Sequence, residues 1–189
     1  MNTPSHVILN GLVLGGGSRR ALWLPITAGA LVPDLPMVGF YLYQRVITHA
    51  PEHRIWNELY FEPQWQGFFD VFNSLPLALL GALLAWRFAR PAWLAFFLSV
   101  GLHCLADLPL HREDAHGHFF PLSDWRFVSP VSYWDPGFHG GWVAAAEMVL
   151  VVAGSIALGR RSLPWRIIAG VTLLLAASFG TFAYFTWLT

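Results

Sequence analysis

The residues able to do chemistry in this chain are few, and they sit where charge is costly. His103 and Asp107 stand four positions apart inside an apolar run, so a helix would place them on one face. Asp34 lies in a second apolar run between Pro33 and Pro36, and His6 opens a third. Asp70 and Asn73 enter a fourth run and Glu147 a fifth. An Asp inside a membrane span costs roughly 2.5–3.5 kcal/mol on insertion scales unless it is paired or hydrated. Imidazole nitrogen with carboxylate oxygen is a ligand set for Zn²⁺, Mn²⁺ or Fe²⁺. A divalent metal, zinc or manganese first among them, is therefore the expected cofactor, held by His6, Asp34, His103 and Asp107. The plainer alternative is that His103 and Asp107 bond to each other and serve only helix packing. The two prolines beside Asp34 break the helix and free backbone carbonyls, a feature tolerated where a cavity is lined.

Depth arithmetic strengthens the case for convergence. At a rise of ~1.5 Å per residue, His6, Asp34, Asn73, His103 and Glu147 lie roughly 17–20 Å above the inner ends of their segments. Asp70 and Asp107 lie at about 24 Å. Asp34-Leu35-Pro36 also recurs as Asp107-Leu108-Pro109, which suggests two related helical hairpins.

The elements that must carry these groups are membrane helices. Of 189 residues, 56% are hydrophobic and only 12% charged, against about a quarter charged in a soluble domain. Six apolar segments are expected, at about 6–18, 21–44, 67–86, 91–110, 140–158 and 166–187. The fold expected is all-α: one integral membrane domain over 1–189, a polytopic bundle of five to six helices. The first segment is short and lacks a basic region ahead of it, so it is expected to remain in the mature chain. The single cysteine, Cys104, excludes an internal disulfide.

All 11 basic residues are arginine. Seven of them occupy three short turns (Arg19 and Arg20; Arg87 and Arg90; Arg160, Arg161 and Arg166) that contain no acidic residue. Short arginine-rich loops are retained in the cytoplasm. The expected location is therefore a cell inner membrane crossed several times. Loops 45–66 and 111–139, and the polar layer, then face the non-cytoplasmic side. The second loop is aromatic-rich and suits a cap at the interface.

The arrangement resembles the LexA-regulated, membrane-bound, metal-dependent hydrolase family of bacterial inner-membrane proteins. The residues carrying the resemblance are Ser5-His6, Pro33-Asp34, Asn73-Ser74 and His103-x-x-x-Asp107. The segments Phe119–Phe127 and Ser129–Asp135 are similar as well, so residues 5–139 are covered. The resemblance implies a metal site that includes the position of Asn73, where the family usually has histidine. Asp70, one turn earlier, is the candidate replacement ligand.

The expected function is hydrolysis of an amphiphilic phosphoester or ester. Asp34, Asp107 and His111 are the candidate catalytic groups, and Arg112, His116, His118 and Arg126 the candidate substrate contacts. His111, His116 and His118 could equally belong to a solvated loop, and the two arginines to salt bridges with Glu113 and Asp124. Expected partners are the lipid bilayer, a lipid-like substrate and other membrane proteins, with no nucleic acid. The alternative is a non-catalytic accessory subunit of a larger membrane complex, with His103 an axial ligand for haem or a pigment. Ion transport ranks third, because segments two to six are almost wholly apolar toward the cytoplasmic side.

Overall fold

The computed structural model describes residues 1–16 and 22–187, with side chains as far as residue 177. Among the described residues every regular element is helical. Helix α1 spans Thr3–Leu14, α2 Trp23–Leu31, α3 Leu35–Leu42, α4 Glu52–Asn57 and α5 Pro63–Phe72. Helix α6 spans Leu75–Arg87, α7 Pro91–Asp107, α8 Gly140–Gly159 and α9 Leu163–Trp187. Prolines stand in the first turn of α1, α5, α6 and α7. There the missing N–H costs nothing and the fixed φ favours the helix. Ser74 caps α6 by accepting the Leu77 amide through Oγ.

Among the described residues three stretches are long and apolar enough to cross a membrane: Trp23–Ile47 and Pro63–Arg87, each 25 residues, and Gly140–Gly159, 20 residues. Helix α7 has 17 residues and α1 has 12, about 25 and 18 Å of rise. The sequence expects five or six crossings; among the described residues three stretches meet both length and apolarity. Arg19 and Arg20 lie outside the described residues.

Several expected boundaries move. The segment 91–110 ends as a helix at Asp107, where the Asp107 carbonyl accepts the amides of both Leu110 and His111. The loop expected at 45–66 shrinks from both sides. A π turn, Tyr43–Ile47, extends the preceding helix, and α5 already begins at Pro63. Prolines 33 and 36 convert Val32–Asp34 into a 3₁₀ turn between α2 and α3, because proline cannot donate to the carbonyl four residues back. The two Asp-Leu-Pro strings fold differently: one opens α3 and the other follows the end of α7.

Helix α1 packs against α2, α7, α8 and α9, and α7 lies between α2 and α6. Two glycines permit the closest approaches. A Cβ on Gly29 would stand 2.3 Å from the Phe96 carbonyl oxygen, and one on Gly154 would stand 2.4 Å from Ile8 Cγ2. Small residues at such crossings let helix backbones approach without a hydrophobic drive. An apolar core of Ile8, Ile26, Ala95, Leu158, Trp165 and Ala169 joins α1, α2, α7, α8 and α9. Outward positions such as Leu79, Leu83, Trp93, Val149 and Ile156 are exposed and apolar, while the polar side chains turn inward.

Candidate functional site

Helix α7 carries Ser99, His103 and Asp107 at four-residue intervals, and His111 continues the line beyond its end. Helix α1 answers with His6 and Asn10 at the same interval. Residues four apart share a helical face, so two polar stripes meet where α1 crosses α7.

At the inner level, Asn10 Nδ2 donates to both the carbonyl and the Oγ of Ser99, each at 2.8 Å. Ser99 Oγ in turn donates to the Ile26 carbonyl of α2 at 2.6 Å. This clip ties three helices together one turn below the histidines. Neither residue was singled out by the sequence reading, although each stands four positions from a site histidine.

One turn higher, the rings of His6 and His103 stack with centroids 3.6 Å apart and planes 12° off parallel. Asp107 receives both: His6 Nε2 lies 2.9 Å from Oδ1 and His103 Nε2 lies 3.0 Å from Oδ2. Asp34 Oδ1 is 3.5 Å from His103 Nε2. Thr3 donates through Oγ1 to Asp34 Oδ2 at 2.5 Å. His6, His103 and Asp107 are essentially sealed from solvent, and Asp34 is partly open. His6, His103 and Asp107 thus form one cluster, and Asp34 adjoins it through His103.

His103 is held by the break in the second apolar run. Its Nδ1 lies 2.8 Å from the Ala30 carbonyl, which fixes Nδ1 as a donor and turns Nε2 toward the Asp107 and Asp34 carboxylates. That nitrogen makes no aligned hydrogen bond despite the two carboxylates beside it. One candidate ligand atom from each of His6, His103 and Asp107 lies within 4.8 Å of the others. A tetrahedral ion at ~2.1 Å from its ligands sets them about 3.4 Å apart, within that reach, while the 2.9 and 3.0 Å N–O separations are those of hydrogen bonds.

The outer level is the loop after α7. His111 Nε2 is 3.2 Å from Asp107 Oδ1, and His111 Nδ1 is 3.0 Å from Asp114 Oδ2. The Met1 amine lies 2.5 Å from Asp107 Oδ1. Burial and that amine pull the His111 pKa down, but Asp107 and Asp114 outweigh them and hold it above its usual value. Burial would lift Asp114, yet its bond to His111 keeps it low. His116 is fully enclosed, and burial followed by repulsion from His111 drives its pKa down to about 3. Burial also lowers His118. His118 Nδ1 lies 2.9 Å from the Asn73 carbonyl, and its Nε2 is buried without a partner. The reading of these three histidines as a solvated loop is wrong: all are buried.

Other candidates find different work. Asp70 accepts the Gly117 amide at 2.7 Å and pairs with Arg126. Both of its oxygens are thus spent on clasping the loop to α5. Arg126, expected as a phosphate clamp or a partner of Asp124, also donates to the Ala115 carbonyl at 2.6 Å. Arg112 donates to the Ser129 carbonyl at 2.9 Å and lies over the Phe138 ring at 3.8 Å. Asn73 donates to the Pro33 and Phe69 carbonyls. The bond to Pro33 braces the 3₁₀ turn that carries Asp34, while Asn73 Oδ1 is buried without a partner. Glu147 accepts from Asn2 and Ser5.

No family model, curated protein or solved structure matches this chain.

Proposed function

We propose that this chain is a metal-dependent hydrolase of a bacterial inner membrane. Its substrate would be an amphiphilic phosphoester or ester, met at the non-cytoplasmic face. The observation that carries the reading is the setting of the His103 Nε2 atom. It is locked by the Ala30 carbonyl, sealed from water and set among the Asp107 and Asp34 carboxylates without an aligned partner. A proton or a cation must lie between such a nitrogen and its carboxylates, and three ligand atoms within 4.8 Å of one another suit a cation. Imidazole and carboxylate together favour zinc or manganese.

A divalent cation held there would supply Lewis acidity, polarising a phosphoryl or carbonyl oxygen and acidifying water. The protein's own groups divide the remaining work. Asp107 is buried and engaged on both oxygens, so it serves as a fixed ligand. Asp34 is partly open and steadied by Thr3, which makes it the group best placed to take a proton from an attacking water. His111 joins Asp107 to Asp114 and so steadies the ligand carboxylate from the loop.

The arginine bias supports a cytoplasmic side for the short turns, and hence an outward site. On this reading α1, α7 and α9 join the three long helices in a bundle of five to six. The family resemblance over residues 5–139 points to the same chemistry.

The test is metal analysis of the detergent-purified chain, alongside chelator-sensitive hydrolysis of bis(4-nitrophenyl) phosphate and 4-nitrophenyl acetate. Near-stoichiometric zinc or manganese, lost in His103→Ala and Asp107→Ala while membrane insertion persists, is the expected result. A chain that binds neither metal refutes the reading.

A further inference from the structure

Helix α8 is apolar enough to cross a membrane, and Glu147 is the one charged residue among its 20. A carboxylate at such a place costs several kcal/mol unless it is satisfied. Glu147 is 6% exposed. Its Oε2 accepts three hydrogen bonds: from the Asn2 amide at 3.1 Å, from Asn2 Nδ2 at 2.9 Å and from Ser5 Oγ at 2.9 Å. All three donors lie at the N-terminal end of α1, the end that offers free amides and the positive end of the helix dipole.

The same turn holds the metal centre. Thr3 donates to Asp34, and His6 meets Asp107. Asn2 and Ser5 face α8, while Thr3 and His6 face the site. A slip of α1 by one residue would move His6 by about 1.5 Å and rotate it by about 100°, out of reach of Asp107. The contacts of Ile8 with α8 are apolar, whereas the three hydrogen bonds to Glu147 are directional.

We infer that Glu147 is a positioning residue for the metal centre, fixing the depth and rotation of α1 so that His6 and Thr3 meet Asp107 and Asp34. It touches no candidate ligand atom and acts only through Asn2 and Ser5. This rests on the metal-centre reading above.

The experiment uses the full chain in detergent, titrated with Zn²⁺ and, separately, with Co²⁺ read by its visible spectrum. Gln at position 147 keeps an accepting oxygen, so Glu147→Gln should bind within about threefold of the parent. Glu147→Leu removes the acceptor and should weaken binding roughly 10–100-fold, the range for lost supporting contacts at metal sites, with an altered cobalt spectrum. Ser5→Ala should weaken binding several-fold in the parent and leave the Glu147→Leu protein unchanged. Parental affinity in Glu147→Leu overturns the inference while leaving the metal centre standing. Should Glu147→Leu fail to fold, Ser5→Ala decides, and unchanged affinity there overturns it equally. A parent chain that binds neither ion removes the metal-centre reading itself.

Discussion

The imidazoles of His6 and His103 lie ring upon ring, 3.6 Å between centroids, with Asp107 bridging their Nε2 atoms. One ring comes from the first helix and the other from the seventh, and the shared carboxylate makes them a single unit. Removing either ring leaves Asp107 buried and short of a partner, which costs several kcal/mol. His6→Ala is therefore expected to lower thermal stability in metal-free protein as well as to abolish metal retention. Differential scanning fluorimetry with and without a chelator reads both effects.

Thr3 is expected to matter more than its position at the edge of the site suggests. It steadies the partly open Asp34. Thr3→Val keeps shape and loses the hydroxyl, so metal affinity should fall about 10–100-fold with little change in melting temperature. Zinc titration of the variant against the parent measures this, and equal affinities would show that Asp34 needs no support.

Topology can be read with thiols. Cys104 is fully buried, so the parent should resist maleimide in intact cells. Pro63→Cys and Asp124→Cys occupy exposed positions in or beside the long loops and should label from outside. Ala89→Cys, in the exposed turn between α6 and α7, should label only after permeabilisation. Labelling of Ala89→Cys alone from outside would invert the orientation.

The buried loop histidines give stability a pH dependence of defined sign. His116 has a folded pKa near 3, from an ordinary value of 6.5, because burial and then His111 disfavour its charge. Its contribution is complete above pH 6.5. As the pH falls toward 3, the unfolded chain binds a proton that the folded chain refuses, and stability drops by about 1 kcal/mol per pH unit. His118 shifts in the same direction. His111, raised, acts with the opposite sign. The difference between parent and His116→Gln isolates the first effect: the parent should lose more stability between pH 6.5 and 5. Parallel melting curves for the two proteins would contradict the buried placement of His116.

Two glycines offer a contrast in packing. Gly154 meets Ile8 of α1 at a distance no Cβ tolerates, whereas nothing lies within 4 Å of a Cβ on Gly170. Gly154→Val should cost about 1–3 kcal/mol through overpacking and should weaken metal binding by shifting α1. Gly170→Val should leave metal content intact and alter stability by less than about 1 kcal/mol. Metal loss from the Gly170 variant would place α9 nearer the site than its contacts indicate.

Much of this arrangement was legible in the residues themselves. An Asp or His within an apolar run is expensive enough to mark itself, which is why His6, Asp34, His103 and Asp107 stood out. The four-residue spacing of His103 and Asp107 put them on one face before any packing was known, and Pro33 and Pro36 announced a broken helix. What only the tertiary structure decided is how each remaining polar group spends its bonds. Composition could not say that Asp70 would clasp Arg126 and Gly117, or that Asn73 would brace a turn. Nor could it say that Glu147 would bind the first turn of α1, or that three loop histidines would be buried. The physical reason is that insertion cost depends on one residue and its depth, and so is local. Hydrogen-bond partnership depends on which helices cross and at what rotation, and glycines such as Gly29 and Gly154 set those crossings from far away in the chain.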